Sequence, residues 1–309
     1  MNQKMLFVFN PMSGKGGVKN NLSSLLDIFV KGGWDVLVRP TQSVEDAYDY
    51  IRDNGENFEQ VVISGGDGTL NQGIRGVMCI PENKRPKIGY IPAGTTNDFA
   101  SNMKIPKNMK KAAASIVNGT EFKCDIGIFN DKNFIYVAAF GAFTDVAYET
   151  PQQTKNIIGH LAYVFEGAKK LPNIRPYHMK ISYDANEIEG DFIFGMVSNT
   201  NYLGGINAEK AFQAQMNDGL FEVILVKNPR NVVERQELIS RLVTQELSSD
   251  SFISFRTSKV CFLSDEVVPW TLDGEFGGTV EMAEIITKKQ AVSLVLEKEP
   301  DFRIEGSVE

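Results

Sequence analysis

Cysteine and histidine are scarce in this chain, basic charge is not in excess, and long apolar runs are missing. The three cysteines, Cys79, Cys124 and Cys261, are odd in number and far apart. They exclude a disulfide framework and suit a reducing compartment. The two histidines, His160 and His178, leave no basis for a histidine-built zinc site. A net charge of −7 excludes a chain that binds nucleic acid as a whole. The five apolar residues Met5–Phe9 are too few for the hydrophobic region of a signal peptide. The longest apolar run, from Phe134 to Phe143, is ten residues, too short to span a bilayer. The expectation is a cytoplasmic protein whose membrane contact, if it has any, is peripheral.

What is present is a globular composition, 42% hydrophobic and 23% charged, at a length suited to two domains of ~150 residues each. The chain is organised around Val61-Val62-Ile63-Ser64-Gly65-Gly66-Asp67-Gly68-Thr69-Leu70-Asn71. Three β-branched residues predict a short buried strand. Glycines follow, and a helical pattern opens at Leu70. A strand that ends in glycines and opens a helix suits phosphate, because the backbone can approach closely and the helix start carries partial positive charge. Asp67 places a carboxylate in that turn, which requires a divalent cation or a water network between it and a phosphate.

Lys4–Asn10 reads as a first buried strand. The loop Asn10-Pro11-Met12-Ser13-Gly14-Lys15-Gly16-Gly17 follows, before a helix at Val18–Val30. It lacks the P-loop spacing and reads equally as a βα turn or a second phosphate loop. Asp35–Val38 is a short strand that leads to Thr41. Ser43 with Asp46 predicts an approximate capping box. Lys87–Pro92 is another strand running into Ala93-Gly94-Thr95, with a helix opening near Asn97 and Asp98. Strand–helix repetition implies a mostly parallel sheet. Ligands on such sheets bind beyond the carboxyl ends of the strands, where the loops 10–17, 64–71 and 93–98 all lie. Lys104, Lys107, Lys110 and Lys111 follow with no acid between Phe99 and Gly119. They read as a solvated helix face, with contact to anionic lipid headgroups as the alternative.

After Cys124 the pattern becomes strand-rich. Apolar runs at 126–129, 134–140, 178–183, 191–198, 221–226, 252–263, 270–272, 279–286 and 291–296 predict an antiparallel sandwich. Helical spacing recurs from Ile157 to Ala168, a packed helix or a lip for an apolar substrate. His160 on it reads as a packing residue. Asn231–Gln245 predicts another helix. Gln215-Met216-Asn217-Asp218-Gly219-Leu220 reads from spacing as a hairpin turn. Asp273-Gly274-Glu275 reads either as two carboxylates on one strand face or as a turn, which the Asp-Gly pair favours.

Four motifs in this order resemble the soluble diacylglycerol kinase catalytic family, lipid kinases related to sphingosine kinases. They are Asn10-Pro11-x-Ser13-Gly14, Gly65-Gly66-Asp67-Gly68-Thr69, Pro92-x-Gly94-Thr95-x-Asn97-Asp98 and Asp273-Gly274-Glu275. Residues 141–144, 150–152 and 161–163 also resemble bacterial members. Gly-Gly-Asp-Gly-Thr alone is shared with NAD kinases; the four together are specific.

The resemblance implies an α/β domain at 1–124, with the tail 300–309 as a candidate addition to it, and a β-rich domain at 125–299, with ATP between them. It implies nucleotide contacts from Asn10, Pro11, Ser13, Gly14, Thr41, Gly65, Gly66, Asp67, Gly68, Thr69, Asn71, Thr95 and Glu275. Asp273 would be the general base. Asp67, Asn97 and Asp98 would organise substrate and water. Mg²⁺ would accompany ATP, and a structural Mg²⁺ would take Asp218 and the carbonyls of Gln215 and Leu220. Gln72 departs from the Glu often found there. The expected reaction is phosphorylation of a lipid hydroxyl, diacylglycerol to phosphatidic acid, at the inner membrane surface. Other acceptors (phosphatidylglycerol, a sphingoid base), NAD kinase activity and a non-catalytic nucleotide- or lipid-binding regulator are the alternatives. Pairing of two copies along a strand edge stays open.

Overall fold

The computed structural model describes residues 3–95, 97–141, 175–200, 202–203, 206–207, 214–244 and 250–298. The expected helix at 157–168, with His160, and the tail 300–309 lie outside the described residues. Among the described residues, no helix is long and apolar enough to cross a membrane. The chain divides into two compact units, one built from residues up to Ile126 with a return from Lys289, the other from Gly127–Lys288.

The first unit alternates strand and helix: β1 (Gln3–Phe9), α1 (Gly17–Lys31), β2 (Trp34–Pro40), α2 (Asp46–Asn54), β3 (Gln60–Gly65), α3 (Asp67–Met78), β4 (Lys87–Pro92), α4 (Asp98–Asn102) and α5 (Met109–Asn118). The strands pair in parallel in the order β2-β1-β3-β4, with Phe7 beside Val38 on one side and Val62 on the other. Met5, Phe7, Phe29, Val62, Ile91 and Ile116 form one core cluster under α1 and α5. Strands buried on both faces read as unbroken apolar runs, which is why Val61-Val62-Ile63 signals β3 clearly.

The return segment is the end of the last strand, β15 (Glu275–Leu296), which pairs in parallel with β4 at Leu294–Ile88. Arg85 ties it down, donating to Ala291 O at 2.7 Å as well as to Ile80 O and Met78 O. Residues 289–298, which the sequence placed in the second domain, therefore belong with the first. The capping box at Ser43 is not formed. Glu45 precedes α2 without a side-chain cap, because Asp46 accepts instead from Arg39 Nη2 at 2.8 Å and from Gln42 N at 2.7 Å.

The second unit is antiparallel. After β5 (Thr120–Phe129) come β6 (Lys132–Phe134), β7 (Val137–Gly141), β8 (Tyr177–Tyr183), β9 (Asn186–Ser198), the short β10 (Tyr202–Leu203) and β11 (Ile206–Asn207), β12 (Phe221–Lys227), α6 (Val232–Thr244), β13 (Phe252–Thr257) and β14 (Lys259–Leu272). Strands β9 and β14 are each paired to β8 along one stretch and to β7 along another. That ring encloses Phe140, Phe262 and Trp270, with Trp270 centred 4.9 Å from Phe140 and 5.1 Å from Phe262. The run 252–263 is two strands rather than one. The Thr257 hydroxyl bonds both the N–H and the carbonyl of Lys259, at 3.1 Å and 2.8 Å, and turns the chain at Ser258. Conversely, 270–272 continues β14, and 279–286 and 291–296 are one strand of 22 residues. Its polar middle is held by Thr287 N to Ser258 O at 2.9 Å and Gln290 N to Asp125 Oδ1 at 2.6 Å, with Gln290 at a left-handed φ of +51°.

Burial decides which positions carry stability. Phe262→Ala should destabilise the protein by about 3–5 kcal/mol, whereas Met282→Ala, on the exposed outer face, should stay within about 0.5 kcal/mol. Urea denaturation of both variants checks this; equal losses would contradict the assigned core.

Candidate active site

The carboxyl ends of β1, β3 and β4 carry three loops that lock together. Asn10 N donates to Ser64 O at 2.9 Å, and Asn10 Nδ2 reaches Thr69 Oγ1 at 3.5 Å. The Asn10 side chain also accepts from Met12 N at 2.9 Å, which turns the chain sharply after β1. Gly14 has φ +53°, and a Cβ there would lie 2.1 Å from the carbonyl oxygen of Ala93. A Cβ on Gly94 would lie 2.6 Å from Gly66 Cα. The loops thus touch main chain to main chain, which only glycine permits.

Asn97 closes the third loop. Its φ is +55°, a region that Asn tolerates, and its side chain bonds both N and O of Gly94 at 2.8 Å. Tyr90, buried on β4, donates to Gly65 O at 3.1 Å and Asn97 Oδ1 at 3.4 Å. Gly66 precedes α3, so the first-turn N–H groups of Asp67 and Gly68 lack partners within the helix. The Asp67 carboxylate reaches across to accept from Asp98 N at 3.2 Å and Phe99 N at 3.3 Å. It therefore caps α4 and bridges two of the loops. Burial raises Asp67 despite these bonds. Burial, and then repulsion from Asp67, push Asp98 up to about 6, while Lys107 pulls the other way. Thr41 N bonds Phe9 O at 2.9 Å, placing Thr41 at the same sheet edge; Thr95 is exposed on the third loop.

In the second unit, Asp273 and Gly274 are the two residues between β14 and β15, with φ of +50° and +84°. Positive φ at both positions is the hairpin turn that favours Asp-Gly. The extended arrangement of two carboxylates on one face is therefore not formed; Glu275 pairs with Leu272 and is exposed. The Asp273 carboxylate folds back and accepts three backbone N–H bonds, from Ile135 at 2.7 Å, Tyr136 at 2.9 Å and Val137 at 3.0 Å. Tyr136 Oη donates to Asp273 O at 3.3 Å. These bonds hold the side chain in one orientation.

The turn at 214–220 also forms, with Leu220 N bonded to Asp218 Oδ1 at 2.9 Å. The other Asp218 oxygen pairs with Arg256, whose Nε meets Glu222 at 3.0 Å. Burial raises Glu222 to about 7. The expected Mg²⁺ ligands at this turn are one carboxylate and the main-chain carbonyls of Gln215 and Leu220, and the carboxylate is the group that Arg256 engages.

A family profile described as a diacylglycerol kinase catalytic domain matches residues 4–129, and one described as a YegS C-terminal NAD kinase beta sandwich-like domain matches residues 138–295. The diacylglycerol kinase of Bacillus subtilis strain 168 is 32% identical over 94% of this chain and 96% of its own length. That of Staphylococcus carnosus strain TM300 is 33% identical over 97% of each. The chain belongs to the diacylglycerol kinase family. A crystal structure of a diacylglycerol kinase from Bacillus anthracis strain Sterne shares this family fold, at 20% identity with a TM-score of 0.73 over 96% of this chain and 97% of that one.

Of the residues singled out from sequence, the structure brings Asn10, Gly14, Gly65, Gly66, Asp67, Thr69, Asn97 and Asp98 into the three touching loops of this family member. Pro11, Ser13 and Gly68 lie within those loops, and Asn71 lies one turn into α3. Sequence reasoning missed Tyr90, Arg256 and the Ile135–Val137 amides. Tyr90 gave no signal beyond its place in a buried strand, and backbone donors carry none.

Asp98 yields a test of the electrostatics. The folded chain holds its proton up to about pH 6, the unfolded chain only to about pH 4. The folded state then binds more protons between these values, so stability falls as pH rises through them. Asp98→Asn should raise Tm at about pH 7, with the gain fading toward about pH 4. Thermal melts across that range check it; a gain that grows toward acid would contradict it.

Proposed function

We propose that this chain is an ATP-dependent lipid kinase that transfers the γ-phosphoryl group of ATP to the hydroxyl of diacylglycerol, giving phosphatidic acid. The observation that carries this reading is the full-length likeness to bacterial diacylglycerol kinases, with the touching glycine loops as its physical counterpart. Phosphoryl transfer depends on positioning and charge neutralisation more than on covalent chemistry by the protein. The amides of Gly66, Gly68 and Gly14 would meet the phosphates, while those of Asn10, Met12, Ser13 and Thr69 bond within the loops and, with Pro11, shape the turns around them. Thr41, Thr95 and Asn71 would contact the nucleotide, and Glu275 would lie near the phosphates. Asp67, Asn97 and Asp98 would hold the loops and the water around the substrate.

Asp273 acts as general base. It takes the proton of the lipid hydroxyl while the oxygen forms its bond to the γ-phosphorus and ADP departs. The three backbone amides fix the carboxylate for that task, because a base must lie within hydrogen-bond reach of the proton it removes. Magnesium would enter bound to ATP, and a structural Mg²⁺ would take Asp218 with the carbonyls of Gln215 and Leu220 in place of the Arg256 contact. The enzyme would work in the cytoplasm at the inner membrane surface. Diacylglycerol is favoured over phosphatidylglycerol, sphingoid bases and NAD because the similar relatives bear that name. An oriented carboxylate is more than a non-catalytic binder needs.

Asp273→Asn keeps size and some hydrogen bonding but removes the base. Label transfer from γ-labelled ATP to diacylglycerol should fall about 10²–10⁴-fold in kcat, with ADP affinity close to wild type and a Tm lowered by the loss of one acceptor for the Ile135–Val137 amides. Transfer within twofold of wild type, a margin of about 0.4 kcal/mol, would overturn the assignment of the base.

A further inference from the structure

The second and third glycine loops are bridged by two side chains of different kinds. Asp67 spans them with a half-buried carboxylate. Tyr90 spans them from the core, on a residue only 2% exposed. Its hydroxyl donates to Gly65 O at 3.1 Å and lies 3.4 Å from Asn97 Oδ1. Neither acceptor needs it. Gly65 O already accepts from Ala93 N at 2.8 Å, and Asn97 Oδ1 from Gly94 N at 2.8 Å. A phenylalanine would fill the same space, because the ring packs edge-on against Phe99 with centroids 6.1 Å apart. Burying a hydroxyl costs free energy that packing alone does not demand. Burial, and then the charge of Asp67, hold its ionisation well above the usual tyrosine range, so it stays a donor. Its use therefore lies in what it donates to.

Gly65 O and Gly66 N–H belong to one peptide unit. That unit is planar and trans, so the two groups point in opposite directions and turn together. A donor on the carbonyl side therefore sets the direction of the amide on the other side. By polarising the unit it also makes that amide a stronger donor. Gly66 is half-buried, stands at the N-terminus of α3 and has Gly94 beside it. A glycine peptide has wide rotational freedom, so a tether from outside the loop decides where its N–H points.

We propose that Tyr90 is a positioning residue for the nucleotide: its hydroxyl aims the Gly66 N–H at a phosphate and, through Asn97, keeps the Gly94 turn at a matching distance. It acts through these groups and does not touch the ligand. The inference deepens the kinase reading and rests on its placement of phosphate at the Gly66 amide.

The test is Tyr90→Phe in the full chain, titrated calorimetrically with a non-hydrolysable ATP analogue and with adenosine. Affinity for the analogue should fall about fivefold, the effect of losing one ordinary hydrogen bond, and KM for ATP should rise by the same factor. Adenosine, which has no phosphate, should bind variant and wild type alike; a merely structural hydroxyl would not separate the two ligands. The ring remains and both acceptors keep a backbone donor, so the melting temperature should stay within about 5 °C of wild type. Wild-type affinity for the analogue, an equal loss for adenosine, or a larger fall in melting temperature would overturn the inference. Gly94→Ala, titrated alongside, separates the two claims. If it loses the analogue and Tyr90→Phe does not, the positioning role falls and the phosphate site stands. If neither variant loses affinity, the phosphate site itself falls.

Discussion

The rest of the first unit depends on how closely three loops approach one another at the carboxyl edge of its sheet. Gly14 lies against the Ala93 carbonyl, and Gly94 lies against Gly66 Cα. Neither approach admits a Cβ, so the glycines are required by distance rather than by turn geometry alone. Asp67 then crosses to the amides that open α4, and Tyr90 ties Gly65 to Asn97. The result is a rigid edge with helix N-termini beside it, an arrangement suited to anions. Two half-buried to buried carboxylates lie in the same place, and burial raises the proton affinity of both Asp67 and Asp98.

The second unit makes a different use of backbone amides. There a two-residue turn with positive φ at Asp273 and Gly274 delivers one carboxylate onto the main chain of Ile135–Val137. The turn and the bonded carboxylate are the same residue, so its position follows from the register of β14 with β15. At the Asp218 turn the carboxylate is held instead by a side chain, that of Arg256.

Much of this was legible in the residues. Val61-Val62-Ile63 before glycines identified β3, and alternation of strand and helix gave the parallel sheet and the edge where loops 10–17, 64–71 and 93–98 meet. The strand-rich second half was legible from its apolar runs. What escaped were features set by partners distant in sequence. Asp46 satisfies Arg39 instead of forming a box with Ser43. Thr257 breaks a strand that its apolar neighbours would continue. Asp125 and Ser258 bond the polar middle of β15, and Arg85 draws residue Ala291 into the first unit. Local pattern reports propensity and burial, but it does not report which distant donor reaches a given carbonyl.

The central claim is that the touching loops are the triphosphate cradle. Its most direct measurement is calorimetric titration of Gly94→Ala with a non-hydrolysable ATP analogue. The added methyl falls 2.6 Å from Gly66 Cα and must force the two loops apart. The account predicts at least about a tenfold loss of affinity, equivalent to about 1.4 kcal/mol, in a protein that still unfolds cooperatively. Unchanged affinity in that folded variant would contradict it.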